Sequence, residues 1–245
     1  MDAYLKEKIT SDGAAYLILI DPDKITTEET PRFIRDCEEA GVDGFLIGGS
    51  LMMHGDLDKA ISDVKECTKL PVIIFPGSIN QVSAKADAIL FISLISGRNP
   101  EHLIGKHVMA APLIKRYGLE PLPTGYMLIE SGAKTTAEYI SGSSPIPRNK
   151  PEIAAATALA AQFMGMRYVY LEAGSGAERP VPFEMVRLVS EMVDIPVIAG
   201  GGIRNAETAA EMVRSGAKII VTGNYFESPE NRPRLKEFSR AIKGK

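Results

Sequence analysis

Eight short apolar runs, separated by polar or helical stretches, constrain what this chain can fold into. They cover Tyr16–Ile20, Gly44–Ile47, Val72–Phe75, Ala88–Leu94, Gly125–Ile129, Tyr168–Leu171, Val197–Ala199 and Ile219–Val221. The runs are continuous rather than alternating, which is typical of parallel strands buried on both faces. Eight such strands alternating with helices favour an α/β fold of the closed (β/α)8 barrel type over an open doubly wound sheet.

Helical patterns lie between most of these runs. They cover Leu57–Thr68, Pro151–Gly165, Phe183–Met192 and Ala206–Gly216. A further helix is predicted from Thr26 to Gly41, because Thr26 and Glu29 have the spacing of a capping box. The link between the third and fourth runs is short and polar, so we predict a modified third helix and an open barrel wall there. The irregular stretch 131–149 after the fifth run is long enough to act as a lid.

The composition is that of an ordinary globular chain. The 245 residues are 45% hydrophobic, and the net charge of −3 gives no basic surface that would favour nucleic acid. No linker divides the chain, so we predict a single domain over residues 1–245. Cys37 and Cys67 are predicted to be free thiols in a cytoplasmic protein. No apolar stretch is long enough to predict a membrane span.

Three glycine-rich loops follow the last three predicted strands, at Tyr170–Gly176, Gly200–Asn205 and Thr222–Asn224. Glycine lets backbone N–H groups approach an anion closely, and barrels of this kind bind phosphate after strands seven and eight. For each loop taken alone, the alternative is that its glycines only form a tight turn. The three loops together favour phosphate binding.

Polar side chains also end the first two strands. The first strand runs into Asp21-Pro22-Asp23-Lys24, and Ser50 ends the second. A carboxylate and a hydroxyl at the barrel rim can bind Mg²⁺, which takes few protein oxygens and completes its shell with water and substrate phosphates. The alternative is an Asp-Pro turn that only begins the next connection.

These motifs together resemble the geranylgeranylglyceryl phosphate synthase family, in the family's order and over nearly the whole chain. The motifs are Asp21-Pro22-Asp23-Lys24, Gly48–Ser50, Gly125–Tyr126, Tyr170–Gly176 (YLEAGSG), Gly200–Ile203 and Gly223–Asn224. Leu19 stands where the related bacterial heptaprenylglyceryl phosphate synthases have lysine, which favours the archaeal type. The resemblance implies a TIM-barrel prenyltransferase that joins the C3 hydroxyl of sn-glycerol 1-phosphate to geranylgeranyl diphosphate. That reaction forms the first ether bond of archaeal membrane lipids.

The resemblance also implies roles for individual residues. Asp21 and Ser50 would bind Mg²⁺ and, through it, the diphosphate. The acceptor, glycerol phosphate, would be held by Tyr170, Leu171, Glu172, Ala173, Gly174, Ser175, Gly176, Gly201, Gly202, Gly223 and Asn224.

Glu172 is the only carboxylate within the phosphate-binding loops. We therefore predict that it is the general base that takes the proton of the glycerol hydroxyl. The alternative is a structural ion pair with Arg179 or Arg204. Tyr126 and Tyr170 are predicted to be catalytic, by orienting the diphosphate or by stabilising allylic cation character with their ring faces. Their alternative role is to fill the barrel.

A C20 prenyl chain needs a long apolar groove, which we predict at the open wall, with Met52, Met53 and Met109 as candidate lining. Three other functions remain open. They are a heptaprenylglyceryl phosphate synthase, a phosphate-binding barrel isomerase or lyase of the tryptophan or histidine pathways, and a non-catalytic binder of a phosphate ligand. Apolar positions on the outer helices favour a homo-oligomer.

Overall fold

The computed structural model describes residues 1–244, which form a closed barrel of eight parallel strands. The strands are β1 (Ala15–Ile20), β2 (Gly44–Ile47), β3 (Val72–Ile74), β4 (Ala88–Leu94), β5 (Glu120–Leu128), β6 (Tyr168–Glu172), β7 (Val197–Gly200) and β8 (Ile219–Thr222). Each strand pairs with its neighbours in sequence, and β1 pairs with β8 to close the sheet. The predicted α/β barrel and its eight strands are confirmed, although β5 begins at Glu120 rather than Gly125.

Helices follow most of the strands and form the outer layer. They are α1 (Asp2–Asp12), α2 (Thr30–Ala40), α3 (Leu57–Cys67), α4 (Lys106–Tyr117), α5 (Thr136–Ser141), α6 (Pro151–Phe163), α7 (Phe183–Met192), α8 (Ala206–Arg214), α9 (Asn224–Glu227) and α10 (Leu235–Lys243). A π-helical turn over Glu101–Gly105 leads into α4, and a 3-10 helix over Pro229–Arg234 leads into α10. No helix among residues 1–244 is long and apolar enough to cross a membrane.

The predicted start of the second helix at Thr26 is wrong. The helix α2 begins at Thr30, and Pro31 lies in its first turn, where a missing N–H is tolerated. Thr26 and Glu29 do bond to each other as a capping box would, since the Glu29 N–H donates to Thr26 Oγ1 at 3.3 Å. The bond closes a turn before the helix instead of capping the helix itself.

Residues 75–87, between β3 and β4, form an irregular link without a helix, which confirms the predicted modification. The buried side chain of Gln81 holds this link in place. Its oxygen accepts from the Gly77 N–H at 3.0 Å, and its nitrogen donates to the Gly49 carbonyl at 2.8 Å. The Gln81 amide thus satisfies backbone groups that a helix would have paired by itself, and it ties the link to the loop after β2.

The core has two layers. Side chains that point into the barrel form the inner layer, and Leu5 of α1 packs with them at the amino-terminal end of the strands. The outer layer packs helices against strands, with Phe33, Ile61 and Val186 among its members. Tyr168 and Tyr170 both belong to the inner layer, so β6 fills the barrel with two large rings.

Asp43, just before β2, joins three separate elements. Its carboxylate accepts from the Tyr16 N–H of β1 at 2.9 Å and from Lys243 Nζ of α10 at 2.8 Å. Lys8 of α1 lies 3.5 Å from the same carboxylate. Only 2% of Asp43 is exposed, and a buried charge of this kind is tolerated only with its partners in place. The first and last helices are therefore held at one end of the barrel.

We expect Asp43→Ala to lower the free energy of unfolding by about 2 kcal/mol, because it leaves the buried Tyr16 N–H without its acceptor and leaves Lys243 only its longer contact with Asp12, at 3.4 Å. Glu191→Ala is the matched control, since both side chains of the Arg187–Glu191 pair are 57% exposed. That control should lose less than about 0.5 kcal/mol. Urea unfolding followed by circular dichroism measures both variants. A loss below about 1 kcal/mol for Asp43→Ala would contradict its bridging role.

Candidate active site

A cavity of about 740 Å³ opens at the carboxyl ends of the strands. The strand ends and the β3–β4 link line it, together with residues of α4 and α5. In barrels of this architecture the active site lies at this end. All the predicted site residues line the cavity except Leu171 and Ala173.

Leu171 and Ala173 pack in the outer layer, behind the loop that the sequence singled out. The Ala173 N–H already donates to the Gly200 carbonyl at 3.0 Å. The alternation of side chains along a strand explains this placement, because residues on either side of Tyr170 and Glu172 point the other way. These two residues hold the loop in place and do not face the cavity.

Glu172, the last residue of β6, is a buried carboxylate in the cavity wall. It is 6% exposed, and its Oε1 accepts from the Gly174 N–H at 2.6 Å. Burial raises the pKa of this carboxyl to about 7, and the Gly174 N–H and the nearby Tyr170 hydroxyl offset only part of that effect. A carboxyl with such a pKa can take up and release a proton near neutral pH, as a general base must.

The alternative of a structural ion pair for Glu172 is wrong for the part of the chain that the structure describes. Within residues 1–244, no cation influences its pKa. Arg204 donates instead to the carbonyls of Gly176 and Ala177, at 3.3 and 2.9 Å. This arginine therefore braces the loop after β6 and leaves the carboxyl available.

An aromatic cluster of Phe75, Tyr126 and Tyr170 lies beside this carboxyl. Tyr170 stacks on Phe75 with ring centroids 5.4 Å apart, and Tyr126 meets both rings edge-on at 5.3 and 5.8 Å. The Tyr170 hydroxyl approaches Glu172 without hydrogen-bond geometry and has no partner among residues 1–244. Burial, followed by the charge of Glu172, raises the pKa of Tyr170 well above its ordinary value. The hydroxyl stays protonated and can donate a hydrogen bond to Glu172 or to a ligand oxygen.

Gly200 and Gly201 make room for these two side chains. A Cβ on Gly200 would collide with the Tyr170 hydroxyl, and a Cβ on Gly201 would collide with the Glu172 carboxylate. Gly201 also has a φ of 81°, in the left-handed region that favours glycine. The end of β7 and the start of the next loop therefore shape the site by leaving space, a role that a phosphate-binding pattern does not predict.

Several backbone N–H groups at the cavity are free to bind an anion. The amides of Ser175, Gly176, Gly202, Gly223 and Asn224 have no acceptor within residues 1–244, and all five residues line the cavity. They belong to the loops after β6, β7 and β8, which are neighbours in the barrel. Converging free amides of this kind suit a phosphate group.

The two aspartates after β1 have different surroundings. Asp23 accepts from the N–H groups of Met53, His54 and Gly55, and these bonds lower the pKa of its carboxyl. Asp23 therefore fastens the loop after β2. Asp21 faces the cavity, and only one of its oxygens accepts a backbone bond, from the Asp23 N–H at 3.1 Å.

Asp21 and Ser50 fit a magnesium site. A Cβ on Gly49 would lie 3.2 Å from Asp21 Oδ1, so the carboxylate rests against the backbone next to Ser50. Residues 1–244 contain no group of three or more His, Cys, Asp or Glu side chains that could hold a metal ion. Mg²⁺ does not require one, because it binds one or two carboxylates and completes its shell with water and phosphate oxygens.

The cavity continues through the barrel wall beside the irregular link. Val82, Ile89, Phe91, Ala110 and Ile114 line this part, and all five pack in the outer layer rather than inside the barrel. With no helix between β3 and β4, this space stays open to the cavity. The predicted opening in the wall is therefore present and has an apolar lining.

The predicted methionines do not line this groove. Met53 and Met109 are exposed, and Met52 packs against the core. A polar residue, His107, is present instead. Its ring lies 4.6 Å from that of Phe91, and its Nε2 lies 3.0 Å from Ser93 Oγ. Burial lowers the pKa of His107, so the imidazole is neutral at neutral pH.

The stretch 131–149 lies at the cavity mouth, where a lid was predicted. It contains α5, a short helix that the sequence did not indicate, and Thr136, Ala137 and Ile140 line the cavity. Ile146 pairs with Ile129 just beyond β5, which fixes the second half of the stretch to the barrel. The segment is in position to cover a bound ligand.

Three features of the site were not predicted from the sequence: the ring of Phe75, the space that Gly200 leaves for Tyr170, and an ion pair between Lys24 and Glu227. Lys24 Nζ lies 3.1 Å from Glu227 Oε2 and 3.6 Å from Asp21 Oδ2. Phe75 ends the third apolar run and Gly200 is the first glycine of a predicted phosphate-binding motif, so the sequence carried some indication of both. Glu227 carried none, because it lies beyond the last glycine motif.

A parallel barrel with free amides after three consecutive strands and a buried carboxyl among them has the features of barrel enzymes that act on phosphate substrates. The comparison with known families is more specific. The model of the PcrB family matches residues 5–242, and the chain belongs to that family.

Similar proteins are geranylgeranylglyceryl phosphate synthases. The one from Pyrococcus abyssi is 44% identical over 248 residues, covering 99% of this chain and 98% of its own. The one from Spirosoma linguale is 44% identical over 243 residues, covering 97% and 98%. Among solved structures, (S)-3-O-geranylgeranylglyceryl phosphate synthase from Thermoplasma acidophilum, in complex with sn-glycerol-1-phosphate, is 38% identical. It has a TM-score of 0.91 and covers 98% of both chains.

We expect Glu172→Gln to stabilise the protein at alkaline pH. The folded-state pKa of Glu172, about 7, lies above the ordinary value of 4.5. The stabilisation that the protein gains from the protonated carboxyl is therefore fully present below pH 4.5 and is lost as the pH rises through about 7. Near pH 8 the ionised carboxylate costs roughly 3 kcal/mol relative to neutral glutamine. Chemical unfolding at about pH 5 and about pH 8 measures this difference. An equal difference at both pH values would contradict the raised pKa.

Proposed function

We propose that this chain is a prenyltransferase that joins the C3 hydroxyl of sn-glycerol 1-phosphate to geranylgeranyl diphosphate and releases diphosphate. The observation that carries the proposal is the position of Glu172 within the loops whose free amides suit a phosphate. A phosphate bound there would bring the rest of a small acceptor to a buried carboxyl with a pKa of about 7. The names of the relatives support the same assignment.

Glu172 acts as the general base in this reaction. Its carboxylate takes the proton of the glycerol hydroxyl while the hydroxyl oxygen bonds to the allylic carbon, and diphosphate leaves with the electrons of the broken C–O bond. The Gly174 N–H holds the carboxylate in place. The Tyr170 hydroxyl stays protonated and can donate to a substrate oxygen. The ring faces of Tyr126 and Tyr170 stabilise positive charge at the allylic carbon.

We also propose that the reaction depends on Mg²⁺. Asp21 would supply a carboxylate oxygen and Ser50 a hydroxyl oxygen, from adjacent loops that line the cavity. The bound ion would neutralise charge on the leaving diphosphate. Asp23 is not a ligand in this proposal, because three backbone N–H groups occupy its carboxylate.

The open wall suits the prenyl chain. The groove past Val82, Phe91 and Ile114 is apolar, and it is continuous with the part of the cavity that holds Asp21. A hydrocarbon chain in this groove is removed from water, which favours binding. Its allylic end would then lie between Asp21 and Glu172, where transfer takes place.

We further propose that the protein is a cytoplasmic homo-oligomer. Phe163 and Met164, at the end of α6, are strongly exposed apolar side chains, and exposed apolar surface is typical of an interface. Cys37 and Cys67 are free thiols, as in reducing compartments.

Product mass analysis tests the proposed function. The protein is incubated with sn-glycerol 1-phosphate, Mg²⁺ and an equimolar mixture of C15, C20 and C35 prenyl diphosphates. We expect the C20 ether as the main product, and none after Mg²⁺ is removed with a chelator. Glu172→Gln should reduce the rate by about 100-fold or more, since the general base is lost.

The matched control is Glu191→Gln, which makes the same chemical change at an exposed position outside the cavity and should leave the rate unchanged. A C35 ether as the main product would move the assignment to heptaprenylglyceryl phosphate synthase. Absence of any ether with either enantiomer of glycerol phosphate would rule out the proposed function.

We expect kcat/KM to fall at acidic pH because Glu172 must be deprotonated to act as a base. The loss should begin as the pH falls through about 7 and should reach roughly tenfold per pH unit below it. The residual activity of Glu172→Gln should lack this acid limb. If the limb persists in that variant, the base is another group.

A further inference from the structure

Lys24 is a charged residue of the cavity to which the mechanism above gives no part. It lies in the turn after β1, and it forms ion pairs with Glu227 and with Asp21. Lys106 and Arg204 also line the cavity. Among the residues that the structure describes, neither of them pairs with a carboxylate, so Lys24 is the one cation of the cavity in contact with acidic side chains.

Glu227 gives the Lys24 ammonium an anchor. It ends α9, three residues after the predicted phosphate-binding residue Asn224. Both oxygens of Glu227 lie within 3.3 Å of Lys24 Nζ. Because β8 pairs with β1, this contact bridges the loop that would bind glycerol phosphate and the loop that carries Asp21.

The charges of Lys24, Asp21 and Glu227 do not balance. One ammonium faces two carboxylates, from Asp21 and Glu227, so the three groups together carry one negative charge when ionised. An ammonium group has three N–H donors. Lys24 can therefore keep its bond to Glu227 and still donate to an oxygen of an anion that enters beside Asp21.

We propose that Lys24 binds the diphosphate of the prenyl donor directly, while Glu227 holds its ammonium at the boundary between the two anion sites. The proposal rests on the proposed function, because it adds a residue for the same donor. Diphosphate gains the electron pair of the broken C–O bond when it leaves. A charge-assisted hydrogen bond from Lys24 stabilises that developing charge.

Isothermal titration calorimetry with inorganic pyrophosphate, in the presence of Mg²⁺, tests whether Lys24 binds diphosphate and does so independently of catalysis. Lys24→Met should weaken binding by about tenfold or more, and Lys24→Arg should retain most of the affinity. The affinity for sn-glycerol 1-phosphate should change less than about twofold, which also shows that the variant is folded. Lys65→Met is the matched control, since Lys65 pairs with Asp87 outside the cavity and its side chain is 38% exposed against 39% for Lys24.

A double variant separates direct binding of pyrophosphate from neutralisation of Glu227. If Lys24 served only to neutralise Glu227, Lys24→Met would have no effect in a Glu227→Gln background. We expect the loss of pyrophosphate affinity to persist there at about tenfold, and a loss below about twofold overturns the proposal. If the unaltered protein binds no pyrophosphate, the prenyltransferase assignment fails as well. If Lys24→Met binds pyrophosphate as tightly as the unaltered protein does, only the proposed role of Lys24 is overturned.

Discussion

Closure of the parallel sheet through the β1–β8 pairing is the constraint on which the site depends. All eight strands then end at one rim, so Asp21, Glu172 and Asn224, which are far apart in sequence, line the same cavity. The opposite end of the barrel has a different character, because Asp43 and its partners there form a satisfied network. Stability is concentrated at the amino-terminal end of the strands, and reactive groups at the carboxyl end.

The groups at the carboxyl end are unfavourable in the absence of a ligand. Glu172 is buried without a cation, and the Tyr170 hydroxyl beside it has no well-formed hydrogen bond among residues 1–244. Buried polar groups normally find partners, and exceptions need a reason. A substrate that carries a hydroxyl would supply a partner for both groups. Gly200, at the end of β7, and Gly201, just after it, keep the necessary space open.

The sequence predicted the barrel because strands buried on both faces leave little choice of residue. The helices α1 and α4 were missed because their apolar residues do not form a clear stripe. Motifs identified the right loops for the site, but not the roles of single atoms. Asp21 and Asp23 look alike in sequence, and only the loop after β2 distinguishes them. The Lys24–Glu227 contact joins residues 203 positions apart, so no local pattern could indicate it.

The link of residues 75–87 has a consequence for how lipid chains are selected. In an ordinary barrel, a helix would cover the strand faces that Ile89 and Phe91 present here. On the proposed function, the hydrocarbon of the substrate takes the place of that helix and completes the outer layer in each catalytic cycle. Recognition of the lipid then obeys the rules of a protein interior, where a chain that is too short leaves a void and one that is too long overfills the wall.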